Sequence, residues 1–432
     1  MTEERSADNN RAVLVAAGEE RHLDELGRLA GTLGLEVAGR LEQARRDGAG
    51  YLGRGKREEL RELVEASGAS FVVADDELSA SQARVLERDA GATVVDRTEL
   101  IIRIFEAHAH DAASRLQVEL ADLEYRLPRL KGRNPELSRL AGGGGGGGRG
   151  ATRGPGEQQL EYDRRAIRDR ISVIRRKLRA EEASREVRAS RLRESGPPKV
   201  ALVGYTNAGK TTILNALSDA GKSTRDWLFE TLETTTRLVE GSSSDGVFRP
   251  GFVVTDTVGF IRKLPAQLVH SFASTLEAAR DADILILCAD ASSPDLEEEI
   301  QVVRRTLSDL LTGGGDAAGP PPAEILCLNK KDLLPYHRII QLRNRHPEAV
   351  MISALEEGGC GPLVERVYAE ISGMWERVGL LIPHSEYGAA SRLYGRAEIH
   401  SRRHTEEGVL LDVTLPREDV ARYEAYRVAA AS

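Results

Sequence analysis

The 432-residue chain offers little that would place it outside a reducing compartment. Its three cysteines, Cys288, Cys327 and Cys360, form no C-x-x-C pair, which argues against a disulfide framework or a cysteine zinc site and leaves them as core or loop thiols. Long apolar runs are missing as well. The longest, "ILILCADA" at 284–291, has the length of a buried strand, far short of the ~20 apolar residues that cross a bilayer. The opening "MTEERSADNN" is acidic and polar, unlike a secretory signal or an Arg-rich transit peptide, so the chain is expected in the cytoplasm. A strong positive balance is absent too. The formal net charge of −8 weighs against electrostatic nucleic-acid binding by the whole molecule.

What is present is enough apolar content for several cores. At 41% hydrophobic and this length, the chain is expected to divide into two to four domains. The first 110 residues alternate short apolar runs, "AVLVAA" (12–17), "LEVAGRL" (35–41), "SFVVAD" (70–75) and "ATVVDR" (92–97), with helix-like stretches. That alternation predicts a small α/β domain around a mostly parallel sheet. Residues 111–195 follow as a helical hairpin. Leu116, Leu120, Leu123, Leu127 and Leu130 share one helical face, as do Leu160, Ile167, Ile171, Ile174 and Leu178 on a second helix. Between the two lie seven consecutive glycines, Gly142 to Gly148, with Arg149, Arg153 and "RGPGE" beyond them, a loop expected to bind something rather than merely to link. From Glu161 to Ser195 twelve Arg or Lys face seven Asp or Glu, a net of +5 and a basic island in an acidic chain.

"SGPPKV" (195–200) breaks the second helix and opens the domain expected over 196–375. The insert "TGGGDAAGPPPAE" (312–324) reads as a solvent loop. A small terminal α+β domain, 376–432, is expected after "WERVGLLIPHSEYG", with "RLYGRAEIHSRRH" and "GVLLDVTLP" as strands. His400 and His404 have helical ligand spacing but lie in a strand-like, Arg-filled stretch with no carboxylate partner, which argues against a metal site. Trp227 reads as a packing residue.

The chemistry is concentrated in 196–375. "GYTNAGKTT" (204–212) fits G-x-x-x-x-G-K-[ST] and stands between the strand-like "KVALV" and the helix-like "ILNAL". A strand that ends in such a turn and runs into a helix presents backbone N–H groups as a nest, backed by the positive end of the helix dipole. Gly204 and Gly209 let the backbone approach phosphate, Ala208 and Thr212 complete the loop, Lys210 would reach the β- and γ-phosphates, and the Thr211 hydroxyl would hold Mg²⁺. "GFVVTDTVGF" (251–260) supplies the second magnesium anchor, Asp256 at a strand end, with the Gly259 N–H placed for the γ-phosphate. "ILCLNKKD" (325–332) is a strand followed by N-K-x-D. Asp332 can accept from guanine N1–H and the exocyclic amine, a donor pair adenine lacks, while Asn329 and the Lys330 stem fix the ring. In "VMISAL" (350–355), Ser353 and Ala354 offer backbone N–H groups to guanine O6. The nucleotide is therefore expected to be GTP, with GDP as product.

Taken in order, "GYTNAGKTT", "FETLETTTR", "DTVGFIRKLP" and "NKKD" resemble the G domain of HflX-type GTPases, in the translation-factor-like class. "GRGKREEL", "VVDRTELIIRIF", "LQVELADLEYRLPRL" and "RGPGEQQLEYDRR" extend the resemblance to that family's N-terminal domain and helical linker, over roughly residues 11 to 375. It implies a multidomain α/β fold: a P-loop GTPase domain, an N-terminal α/β domain with a helical hairpin, and a small C-terminal α+β domain. It also implies that Thr235, within the run Thr234 to Thr236, is the switch threonine on Mg²⁺ and the γ-phosphate, although the family carries proline at the place of Thr234. Lys210, Thr235 and Gly259 are thus the residues expected to act on the γ-phosphate. Asn207 matches the asparagine with which related GTPases hold K⁺. Phe260 stands where many regulatory GTPases have a water-positioning glutamine, and a phenyl ring cannot orient water by hydrogen bonding.

As for partners, the resemblance implies the large ribosomal subunit and its rRNA, with Arg164, Arg165, Arg168, Arg175, Arg176 and Lys177 against phosphates, and a monomer off the ribosome that splits or rescues ribosomes under stress. Two rivals stand beside this reading: a nucleotide-gated RNA- or protein-binding switch, and a GTPase of tRNA-modification type that does not act on ribosomes.

Overall fold

Apolar runs with no polar alternation need cover on both faces, and in the N-terminal region helices supply it. The structure, a computed structural model, describes residues 10–19, 21–109, 111–130, 155–193, 197–218, 235–241, 249–263, 265, 268, 278–312, 322–393 and 397–428. The chain forms two compact units. One comprises 1–184 with 225–233 and 261–273, and the other 185–224, 234–260 and 274–432.

In the first unit, β1 (Arg11–Ala17), β2 (Glu36–Gln43), β3 (Phe71–Ala74) and β4 (Thr93–Asp96) make an all-parallel sheet in the order β2-β1-β3-β4. Helices Leu23–Thr32, Arg54–Ser67, Ala80–Ala90 and Arg97–His108 connect and cover it, and the core is built by Val13, Val15, Val72, Leu86 and Val94. Local chemistry fixes the helix ends. Ser79 and Gln82 form a reciprocal capping box, Asp96 caps Arg97–His108 through the Glu99 amide, and Asp111 caps the next helix, Ala112–Arg129, through Ala113 and Ser114. That helix pairs with the long helix Pro155–Arg193: Leu120, Ile171 and Ile174 are buried at the seam, flanked by Leu116, Leu123, Leu127, Ile167 and Leu178. Arg170 also grips Glu119 with two hydrogen bonds of 2.6 and 2.7 Å, and Arg175 binds Glu124 at 2.8 Å. Arg175, expected to face rRNA phosphate, is therefore engaged within the hairpin. The glycine run with Arg149 and Arg153, and Trp227, lie outside the described residues.

Carboxylates gather where β3 and β4 end. Asp75, Asp76 and Asp96 are all buried, and so are Glu25 and Arg97. The Arg97 guanidinium donates to Asp75 Oδ1 at 2.8 Å, to Glu25, and to the backbone carbonyl of Arg262 at 2.9 Å. The Lys263 ammonium, from the 261–273 segment of the same unit, bridges Asp75 (3.0 Å) and Asp76 (2.9 Å). Tyr51 donates its hydroxyl to Asp76 at 2.8 Å, and burial together with that carboxylate pushes its pKa up.

The second unit contains a six-stranded sheet of order β10-β9-β8-β5-β7-β6, with β5 Lys199–Gly204, β6 Thr235–Val239, β7 Phe252–Asp256, β8 Ile284–Asp290, β9 Ala323–Asn329 and β10 Val350–Met351. Only β6 runs antiparallel to its neighbour. Helices Lys210–Leu217 and Gly361–Met374 pack with one face, and Leu296–Thr312 and Tyr336–Arg345 with the other. All three cysteines are buried here, and burial pushes the Cys360 thiol up to about 11.

The same unit ends in an antiparallel sheet of order β12-β13-β11-β14, formed by β11 Trp375–Pro383, β12 Glu398–His404, β13 Gly408–Pro416 and β14 Arg427–Val428. Here two expectations are corrected. "WERVGLLIP" does not precede the terminal sheet but forms its strand β11, paired with β13 along all nine residues. And Arg392 and Leu393, read as the start of a strand, end the helix Tyr387–Leu393, which buries Ala389, Ala390 and Leu393 against the sheet. His400 and His404 lie on β12 with separate engagements. His400 Nε2 meets Thr414 Oγ1 at 2.7 Å, and the His404 ring stacks on His384. Among the described residues no group of three or more His, Cys, Asp or Glu side chains is placed to hold a metal ion.

Candidate functional site

In an open parallel sheet the ligand crevice lies at the carboxyl ends of the strands, and that is where the motif residues of the second unit meet. β5 ends at Gly204, packed so tightly on β8 that a Cβ there would lie 2.1 Å from the Cys288 carbonyl oxygen. The chain then turns through Asn207 (φ +63°) and Gly209 (φ +88°), both left-handed, into the helix Lys210–Leu217. Gly209 has a second reason to lack a side chain, since a Cβ would fall 2.3 Å from Asn329 Nδ2. Ala208 is buried behind this turn. The result is a backbone nest at a helix N-terminus, a shape that suits an anion.

Lys210 is buried, and its ammonium donates to the carbonyls of Gly204 (3.1 Å) and Tyr205 (2.9 Å). Burial pushes its pKa down, opposed by the Asp256 carboxylate. The Thr211 hydroxyl donates to Asp256 Oδ2 at 2.7 Å, which brings the two oxygen-bearing side chains together. Thr235 opens β6 opposite Asp256 in the β6–β7 register, while the Thr236 hydroxyl faces that of Thr255 at 3.2 Å; Thr234 lies outside the described residues. Thr212 sits partly exposed on the first turn of the helix. Gly259 lies against the loop. A Cβ on it would be 2.8 Å from Thr206 Cα and 2.9 Å from Lys210 Nζ. The stitching continues in the backbone: Thr206 N–H donates to the Phe260 carbonyl (2.8 Å) and Phe260 N–H to that of Gly204 (3.0 Å).

At the far end of the crevice, Asn329 closes β9. Its Nδ2 donates to the Ala208 carbonyl and its Oδ1 accepts from the Ala354 amide, both at 3.0 Å. Lys330 adopts a left-handed conformation (φ +62°), and Asp332 follows, exposed in a single 3-10 turn, Lys331–Leu333. Ser353 is fully buried at the adjoining turn. The described motif residues, Gly204 to Thr212, Thr235, Asp256, Gly259, Asn329 to Asp332, Ser353 and Ala354, thus lie at one edge of one sheet. Sequence reasoning missed Asp290, whose carboxylate pairs with the Lys330 ammonium at 2.9 Å and steadies that side chain beside Asn329 and Asp332. The available signal was its place as the acid that terminates the apolar run of β8, as Asp256 terminates that of β7.

Comparison with known proteins follows the same outline. Residues 20–106 match the family model described as "GTP-binding GTPase N-terminal", residues 108–191 "GTP-binding GTPase Middle Region", and residues 199–330 "50S ribosome-binding GTPase". A protein of Caldanaerobacter subterraneus named GTPase HflX is 42% identical over 413 residues, spanning 94% of this chain and 91% of its own. The chain belongs to the HflX family of GTPases. A second HflX, from Gluconacetobacter diazotrophicus, is 37% identical over 433 residues, at 91% coverage of each chain. Among solved structures, a GTP-binding protein of Sulfolobus solfataricus in complex with GDP aligns with 84% of this chain and 99% of its own, at 19% identity and a TM-score of 0.44. As an HflX member with a P-loop GTPase domain, the chain binds GTP and GDP and is a GTP hydrolase. Among the described residues no helix is long and apolar enough to cross a membrane.

Proposed function

We propose that the GTP form of this HflX-family protein binds the large ribosomal subunit through its rRNA and splits or rescues ribosomes under stress. Hydrolysis proceeds by in-line attack of water on the γ-phosphate, accelerated by positioning and charge stabilisation, with no covalent nucleophile. Lys210 and the 204–209 backbone hold the β- and γ-phosphates, and the Gly259 amide contacts the γ-phosphate. Thr211, Asp256 and Thr235 hold Mg²⁺, which supplies charge neutralisation when bound. Asn207 helps to hold K⁺, while Asn329, Lys330, Asp332, Ser353 and Ala354 read guanine. The observation that carries this reading is the approach of the Thr211 hydroxyl to Asp256 beside the buried Lys210 ammonium, two hard oxygen donors next to a phosphate cradle. The division at about residues 110, 195 and 375 belongs to the same proposal.

Support for the ribosome comes from the family model, described as a 50S ribosome-binding GTPase, and from exposed Arg165, Arg168, Arg176 and Lys177 on the long helix. A cationic helix of this kind favours phosphate in a salt-dependent way. The test is sedimentation with purified large subunits. The protein is expected to comigrate with GTP or a non-hydrolysable analogue and to be lost with GDP or at raised salt. If nucleotide state makes no difference, one of the two rival readings replaces this one. In the same preparation, turnover in K⁺ is expected to exceed that in Na⁺, and equal rates would remove the role given to Asn207.

A further inference from the structure

The hydrolysis reaction needs something that Phe260 does not provide. Its ring is buried with Tyr205 in the core on one side of the sheet, turned away from chemistry. One residue later in the loop than Tyr205, a hydroxyl is left over. Thr206 is only 8% exposed, and its Oγ1 has no hydrogen-bond partner among the described residues. By contrast Thr257, which is fully buried, spends its hydroxyl on the Leu202 carbonyl at 2.6 Å. A buried hydroxyl left without a partner carries the full cost of its desolvation, so its place is best understood through a partner that arrives with the substrate.

The location says which one. A point one Cβ bond out from Gly259 lies 2.8 Å from Thr206 Cα, 2.9 Å from Thr206 Cγ2 and 2.9 Å from Lys210 Nζ. The Thr206 side chain therefore shares its surroundings with the two groups assigned to the terminal phosphate. Its backbone is clamped as well, by the 2.8 Å bond to the Phe260 carbonyl and the bridge between Tyr205 and Phe260. A clamped donor in a dry setting stabilises developing charge without reorganisation.

We propose that Thr206 is a catalytic residue of GTP hydrolysis, its hydroxyl donating a hydrogen bond to a γ-phosphoryl oxygen as the phosphoryl group is transferred to water. The proposal rests on the nucleotide site assigned above and gives it a side-chain contact beyond the backbone cradle and the Lys210 ammonium. Water's oxygen bonds to phosphorus, the bond to the GDP leaving oxygen breaks, and both of water's protons leave with the phosphate product, as dihydrogen phosphate, so Thr206 neither gains nor loses a proton overall.

The test uses the full chain with Thr206→Val and Thr206→Ser, single-turnover hydrolysis, titration with fluorescent GTP and GDP, and thermal unfolding without nucleotide. Thr206→Val is expected to slow the chemical step by about 10- to 100-fold, to leave both dissociation constants within about threefold of the parent, and to unfold no earlier than the parent, because an orphaned donor has been removed. Thr206→Ser restores most of the rate. Thr206→Ala, which adds no bulk, provides the same comparison if the valine variant does not fold. The proposal is overturned if the valine variant hydrolyses at the parental rate, if its loss lies wholly in affinity, or if serine is as slow as valine. A parent chain that fails to bind guanine nucleotide would instead overturn the site beneath the proposal, and the titration separates the two failures.

Discussion

Asp332→Asn is expected to lower GTP affinity by roughly 10²- to 10⁴-fold and to raise affinity for the xanthosine nucleotide. A carboxylate that accepts from guanine N1–H and the exocyclic amine makes two charge-assisted bonds, each about 1.5–3 kcal/mol, and 1.4 kcal/mol is tenfold in affinity. With asparagine one acceptor remains for N1–H, and the amide N–H₂ now faces the guanine amine, a donor against a donor. Xanthine has a carbonyl at that place, so the pairing is restored. The frame that holds Asp332 is independent of its side chain: Lys331 N–H donates to the Ile352 carbonyl at 3.1 Å, and Lys330 is tied to Asp290. The variant should therefore fold normally. Competition titration with GTP, XTP and ATP decides the matter, and an unchanged preference for GTP would remove the base assignment.

Arg97→Ala is expected to destabilise the N-terminal unit by about 3–5 kcal/mol. Arg97 is 1% exposed and sits between Asp75 (0%) and Glu25 (3%). Removing one partner of a buried ion pair costs more than the pair itself contributes, because the remaining carboxylates lose their compensation. Lys263 still reaches Asp75 at 3.0 Å and Arg262 lies 3.9 Å from Glu25, which places the loss toward the lower end of that range. If uncompensated charge is the cause, combining Arg97→Met with Glu25→Gln should recover a good part of the loss, whereas simple loss of packing would leave the double variant as weak as the single. Urea unfolding monitored by circular dichroism distinguishes the two.

Which parts of this architecture could be seen in the sequence follows from where the information sits. β1, β3, β5 and β8 are covered on both faces, so they appear as unbroken apolar runs. The hairpin was legible because its buried Leu120, Ile171 and Ile174 recur at helical spacing. The phosphate loop, D-x-x-G and N-K-x-D were legible because each joins a strand end to a turn within a few residues. Arg97 was not legible. In "VVDRTELIIRIF" it looks like the first residue of a capped helix, and the carboxylates that make it a buried cation are 22 and 72 positions away. Asp290 and Thr206 escaped for a related reason, since one is defined by a partner from the next strand and the other by lacking one. The helix Tyr387–Leu393 was misread because only seven residues carry it and its apolar positions, Ala389, Ala390 and Leu393, are too few to declare a period.

The carboxamide of Asn329 joins two loops, one from Ala208 and one from Ala354, to its own strand. Pre-assembly of this kind shifts the entropic burden from binding to folding, so association requires little loop ordering and should be fast. An Asn329 variant would consequently reveal itself first as slower nucleotide capture, because the receptor would have to find its shape anew at every encounter.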